Sequence, residues 1–177
     1  PGWAVALGGV AAVVLLLGPA PPLLFMGEEW GSERPFPFFC DFGPDLAPAV
    51  VRGRRAGFAQ LPGYRDPAAR AAIPDPQAAA TFAAAVLDWE ECHAPGHRDW
   101  LALYRHLLGL RQRVIMPRLQ AGEVHAEGWQ RLGPRALRVR WRLGDGAQLT
   151  LIANFVGQPG PEIPPPAAPL LYSTHPG

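Results

Sequence analysis

Residues Trp3 to Met26 carry no charge, and that run constrains the fold more than any other stretch. A membrane-spanning helix needs about 20 apolar residues. The run is long enough, but Gly8, Gly9, Gly18, Pro19, Pro21 and Pro22 interrupt it. It also lacks the basic leading segment of a signal peptide. The pattern predicts a buried helix over Trp3–Leu17, stopped by Gly18-Pro19, then a buried strand over Leu23–Met26. A strand that is apolar on both faces belongs in a parallel sheet covered on each side. This one ends abruptly in Gly27-Glu28-Glu29-Trp30, and the aromatic loop PFPFFCDF follows at Pro35–Phe42. Polar groups at the C-terminal mouth of a barrel strand are where barrel enzymes keep their sites. The chemistry is therefore expected near residue 28.

Bulk properties exclude several function classes. The 177 residues carry a net charge of +1, so no strong field recruits nucleic acid or an anionic membrane surface. Hydrophobic residues make up 49% of the chain, enough to build a core. Two cysteines, Cys40 and Cys92, form no disulfide framework and fit a reducing cytoplasm. Cys92, His93 and His97 offer three metal ligands in a Pro-Gly loop, where zinc usually takes four, and no metal site is expected. There is no Gly-rich phosphate loop, no CxxC pair and no Ser-His-Asp arrangement; no cofactor is expected.

Helical pattern resumes over Pro44–Leu61, where Asp45 could cap, and over the Ala-rich Gln77–Leu87. A clearer helix follows at Asp99–Val114. Its apolar positions Trp100, Leu103, Tyr104, Leu107, Leu108 and Leu110 fall largely at three- and four-residue steps, with Arg105, Arg111 and Gln112 assigned to the other side. After Pro117 the period changes to two. Ala136–Leu143, the turn Gly144-Asp145-Gly146 and Gln148–Phe155 predict a hairpin. Its wet face carries Arg138, Arg140 and Arg142, its dry face Leu137, Val139, Trp141 and Leu143. Weaker strands are expected at Glu123–Ala126, around Trp129–Leu132 and at Leu170–Ser173, with a Pro-rich connector over 157–169. The helical part and the all-β part meet near residues 115–121.

The helix, PLLFMGEEW and PFPFFCDF together resemble the eighth-strand region of the catalytic barrel in the alpha-amylase superfamily. Leu24-Phe25-Met26-Gly27-Glu28 is shared across that superfamily. The continuation is most similar to the malto-oligosyltrehalose trehalohydrolases: Pro35-Phe36, Phe38-Phe39, Asp41-Phe42, Val51-Arg52-Gly53-Arg54-Arg55, Asp75-Pro76-Gln77, Thr81-Phe82 and Leu87-Asp88-Trp89. Tyr104-Arg105 to Leu110-Arg111 resembles the last barrel helix, and the β part resembles the small sandwich that follows it. The resemblance implies the last helix–strand–helix units of a (β/α)8 barrel over residues 1–117, then an incomplete antiparallel β-sandwich over 118–177.

It also implies a reaction: hydrolysis of the α-1,4 bond next to the terminal trehalose unit of a maltooligosyl trehalose, with retained configuration. Two carboxyl groups about 5 Å apart suit that double displacement. In this family the nucleophile, the acid and the supporting Asp follow the fourth, fifth and seventh strands. All lie upstream of the helix that opens this chain, and no residue here is expected to be catalytic. The chain is read as an internal fragment whose expected partner is maltooligosyl trehalose, with no nucleic acid or membrane partner; the sequence leaves the oligomeric state open. Two alternatives differ in kind: the tail of a glycogen branching enzyme, which the PFPFF loop argues against, and a non-catalytic carbohydrate-binding or scaffold module made of the β part.

The candidate substrate-binding residues are Glu28, Glu29, Trp30, Phe36, Phe38 and Phe39. One carboxylate would hydrogen-bond sugar hydroxyls, Glu28 being the more inward, and the rings would stack on pyranose faces. The competing role for the carboxylates is a structural salt bridge, and for the rings loop packing. Asp41 is read as a cap for the following helix, and Arg52, Arg54 and Arg55 as a solvated or salt-bridged helix face.

Overall fold

In the computed structural model, residues 2–155 and 169–174 are described, with side chains from Gly8 onward. The helices are α1 (Gly2–Leu17), α2 (Ala47–Phe58), α3 (Pro67–Ala71), α4 (Ala79–Ala85), α5 (Pro95–Leu110) and α6 (Met116–Gln120). The strands are β1 (His125–Gly133), β2 (Ala136–Arg142) and β3 (Gln148–Asn154). The chain divides into two compact units, one of residues 1–30 and 95–177, the other of residues 31–94. No helix among the described residues is long and apolar enough to cross a membrane.

The first unit is built on α1 and α5. Its core is Ala12, Leu16 and Leu17 from α1 against Tyr104 and Leu107 from α5, with Ile115 beyond. Leu16 and Leu107 are fully buried, each stabilising the unit by about 1.5–3 kcal/mol relative to exposure. As expected, α1 stops at Gly18-Pro19. α5 begins four residues earlier than its apolar stripe suggests, because Pro95 supplies a helical φ at the first position. A π-turn, Arg111–Ile115, joins α5 to α6 without a break, so the rod runs from 95 to 120. Pro117 stands just after the π-turn, at the start of α6, and the rod continues through it.

The expected strand at Leu23–Met26 is not a strand. Residues 21–25 are irregular and 26–27 turn, while Leu23, Phe25 and Met26 are 88%, 55% and 45% exposed. A parallel strand needs a hydrogen-bonded neighbour on at least one side, and the described strands of this chain pair only with one another, in the order β1-β2-β3.

The predicted hairpin is present: β2 and β3 are antiparallel, Val139 opposite Leu151 and Trp141 opposite Leu149. The two weak strands anticipated before it are one, β1, whose register slips between Ala126 and Gly128 and again between Arg131 and Gly133. Gly128 makes the first irregularity possible, with φ +127°. Among the described residues the β part is a single three-stranded sheet, not two packed sheets. Leu170–Ser173 forms no strand; instead Leu171 and Tyr172 pack onto the α1–α5 core. Residues 157–168 of the Pro-rich connector lie outside the described residues.

The second unit joins short helices by hydrogen bonds more than by a core. Cys40 N donates to Pro76 O at 2.9 Å, Phe42 N to Gln77 Oε1 at 3.1 Å, and Thr81 Oγ1 to Asp75 O at 2.6 Å. Asp88 caps a 3₁₀ turn, Trp89–His93, accepting from Glu90 N at 3.1 Å, and pairs with Arg34 at 3.4 Å. Neither Asp41 nor Asp45 caps α2. Its N-cap position is Leu46, with no side-chain bond, and a proline in the first turn takes over the start.

Candidate functional site

Glu28, Glu29 and Trp30 form a single 3₁₀ turn, seated against α5. Glu28 Oε1 accepts from Tyr104 Oη at 2.8 Å, and Oε2 accepts from Phe25 N at 3.1 Å. The Glu28 carbonyl accepts from Trp100 Nε1 at 2.8 Å. His97 Nδ1 lies 2.8 Å from the Trp30 carbonyl, and since a carbonyl only accepts, Nδ1 carries the proton. Both carboxylate oxygens of Glu28 are thus committed within the protein, to a tyrosine and a backbone amide rather than to the arginines of a salt bridge. Glu29 has no hydrogen bond or ion pair within the structure described.

Burial, the hydrogen bond to Glu28 and the charges of Glu28 and Glu29 together push the Tyr104 phenol well above its ordinary pKa. Tyr104 is therefore a permanent donor. Trp30 is 1% exposed and has no free ring face for a sugar, which corrects its place among the stacking residues. Burial follows from its position at the end of a turn held at both ends.

Phe36, Phe38 and Phe39 belong to the second unit. Phe39 contacts Phe36 edge-on at 5.9 Å and Phe82 at 5.0 Å. Phe38 lies under the Arg54 guanidinium at 4.7 Å, and the same cation reaches Phe58 at 5.2 Å. Phe38, Arg54 and Phe58 border an open depression of about 430 Å³ together with Val50, Gly53 and Leu61. Phe36 and Phe38 remain 44% and 41% exposed. Arg54 is therefore half-buried and packs on rings.

Three residues of consequence are not legible as such in the sequence. Trp100 and Tyr104 sit on the apolar stripe of α5 and were assigned to its core, although each has a polar end that a core must satisfy. Arg111, assigned to the outer side, is 7% exposed. Its Nη1 donates to Leu16 O at 3.0 Å and Gly18 O at 2.5 Å, and its Nη2 to Ala20 O at 2.9 Å. It closes the C-terminal end of α1, whose last carbonyls have no partners within the helix. The signal was its spacing, four residues after Leu107 and seven after Tyr104. His97 is held by Trp30, and no group of three or more metal-ligating side chains occurs among the described residues.

This architecture has a counterpart among solved structures. A Salmonella typhimurium protein provisionally named an alpha amylase is 40% identical, with a TM-score of 0.69, over 85% of this chain and 24% of that one. The narrower likeness is to the malto-oligosyltrehalose trehalohydrolases, as the motifs imply. The enzyme of that name from Arthrobacter ramosus is 48% identical over 105 residues, 59% of this chain and 17% of that protein. The one from Brevibacterium helvolum is 36% identical over 164 residues, 85% of this chain and 27% of that protein. Residues 124–177 match the family described as a domain of unknown function, DUF3459. The chain thus spans only a minor part of the relatives it matches.

Proposed function

We propose that this chain is the C-terminal part of a retaining glycoside hydrolase that cleaves the α-1,4-glucosidic bond next to the trehalose end of maltooligosyl trehalose, releasing trehalose. The observation that carries this reading is the 48% identity to a protein of that name, over a chain whose own motifs point the same way. In this reading residues 1–117 are the last units of a (β/α)8 barrel and residues 118–177 a C-terminal all-β domain. The helical rod ends at Gln120 and the family match begins at residue 124, which supports a change from helical to all-β structure a few residues beyond 117.

The exposed Leu23, Phe25 and Met26 suit an apolar segment whose covering neighbours come from elsewhere in the enzyme. The catalytic carboxylates also come from elsewhere. The Glu28–Glu29 pair, at the end of that segment, offers a carboxylate to sugar hydroxyls, and Phe36, Phe38 and Phe39 offer ring surface to pyranose faces. Free cysteines fit a cytoplasmic enzyme. The test is trehalose release from maltooligosyl trehalose. The full-length protein is expected to release it and the isolated chain is not; release by the chain alone, or none by the full-length protein, refutes the proposal.

A further inference from the structure

We infer that His97, Trp100 and Tyr104 act as a positioning clamp that fixes the Glu28–Trp30 turn, committing Glu28 to the protein and leaving Glu29 as the carboxylate of the pair that meets substrate hydroxyls. The inference rests on the substrate reading proposed above, and it reverses the assignment that the sequence favoured.

The three clamp residues are spaced i, i+3 and i+7 along α5, so they share one face of a rigid rod. Each reaches a different point of the turn: the Trp30 carbonyl, the Glu28 carbonyl and the Glu28 carboxylate, all at 2.8 Å. Phe25 N holds the remaining oxygen of Glu28. An aromatic donor has few rotatable bonds, so three of them define the orientation of the turn closely. Apolar packing alone would hold the turn in place without fixing which way its carbonyls and carboxylates face.

The opposite helix is shaped for the same seat. A Cβ on Gly8 of α1 would come within 2.8 Å of the Trp100 ring, so glycine there gives the indole the room it needs. Each oxygen of Glu28 already accepts one internal hydrogen bond, from Tyr104 or from the Phe25 amide, so a sugar hydroxyl binding it would have to share that oxygen with a donor of the protein and approach in the geometry that donor leaves open. Glu29, as partly buried as Glu28, has no such internal donor among the described residues.

Two measurements on the full-length protein test this. In steady-state kinetics with maltooligosyl trehalose, Tyr104→Phe and Trp100→Phe are expected to raise KM about fivefold or more while kcat falls no more than about twofold, the pattern of lost binding geometry. Glu29→Gln is expected to raise KM at least as far. Glu28→Gln, which retains an acceptor for Tyr104, is expected to lose less than Glu28→Ala. Unchanged KM in the Tyr104, Trp100 and Glu29 variants overturns the inference, even if their thermal midpoints fall.

The second measurement, amide hydrogen exchange, is independent of catalysis. Tyr104→Phe is expected to speed exchange at Glu29, Trp30 and Gly31 about tenfold, the effect of losing one hydrogen bond of ordinary strength, without change in Ala12–Leu17. Unaltered exchange overturns the clamp. If exchange responds but the wild-type protein releases no trehalose, the substrate reading fails and the clamp stands. If trehalose is released and neither measurement responds, the reverse holds.

Discussion

Arg111 shows how one side chain can join two helices. Burial pulls its guanidinium pKa down, yet the group stays charged because an arginine pKa begins so high. No carboxylate pairs with it among the described residues; the carbonyls of Leu16, Gly18 and Ala20, at and just beyond the end of α1, solvate it instead. Replacing it by Met should cost about 3 kcal/mol, roughly 1 kcal/mol for each carbonyl left unsatisfied. Lys, lacking the fork, should restore less than half of the loss; urea denaturation midpoints would measure both. Tyr104 makes a separate prediction. Its folded pKa lies above the unfolded value, so its contribution to stability is complete below about pH 10 and lost as pH rises beyond that. Tyr104→Phe should abolish that share of the alkaline decline, read from denaturation midpoints between neutral and strongly alkaline pH.

At the level of elements, α1 and α5 carry the first unit, and their fit depends on glycine where Trp100 crosses. Gly8→Ala would put a methyl group 2.8 Å from the Trp100 ring. The gain in helix propensity, about 1 kcal/mol, is opposed by overpacking that costs about 1–3 kcal/mol. The expected outcome is net destabilisation together with a changed indole fluorescence; a stabilised variant with unchanged emission would mean the helices separate freely. The sheet shows a different economy. β2 and β3 pair without a slip while β1 slips twice, and Glu127, at the first slip, ties the three strands together by accepting from Arg142 Nε at 2.8 Å and Gln148 Nε2 at 2.6 Å. Those bonds hold its carboxyl below the usual range. Because Glu127 sits among water-screened groups, it organises the surface more than it stabilises the fold.

Taken as a whole, the molecule has unequal cohesion. Residues 31–94 bury few side chains, Ile73, Thr81 and Ala85 among them, and α2 has none buried. Amides there should exchange with opening free energies at least about 2 kcal/mol below those of Leu16 and Leu107; equal protection in both units would contradict this account. Leu23, Phe25 and Met26 form an exposed apolar segment that pairs with no strand among the described residues, and such segments drive association. The isolated chain should self-associate with rising concentration, and Leu23→Ser with Phe25→Ser should move it toward monomer. Light scattering would show either, and a wild-type chain that stays monomeric throughout would show that the segment is covered some other way.

The parts legible in the sequence are those whose signal is local. The stop of α1 at Gly18-Pro19, the stripe of α5 and the two-residue alternation of β2 and β3 each follow from steric preference and period over a few residues. Tertiary structure decided what depends on a distant partner. Arg111 turned inward because the carbonyls ending α1, more than ninety residues earlier, required a donor. Glu28 was taken up by Tyr104 because α5 passes beside the turn. Leu23–Met26 gained no ladder because hydrogen bonding between strands needs a second strand in reach, and no local pattern can supply one.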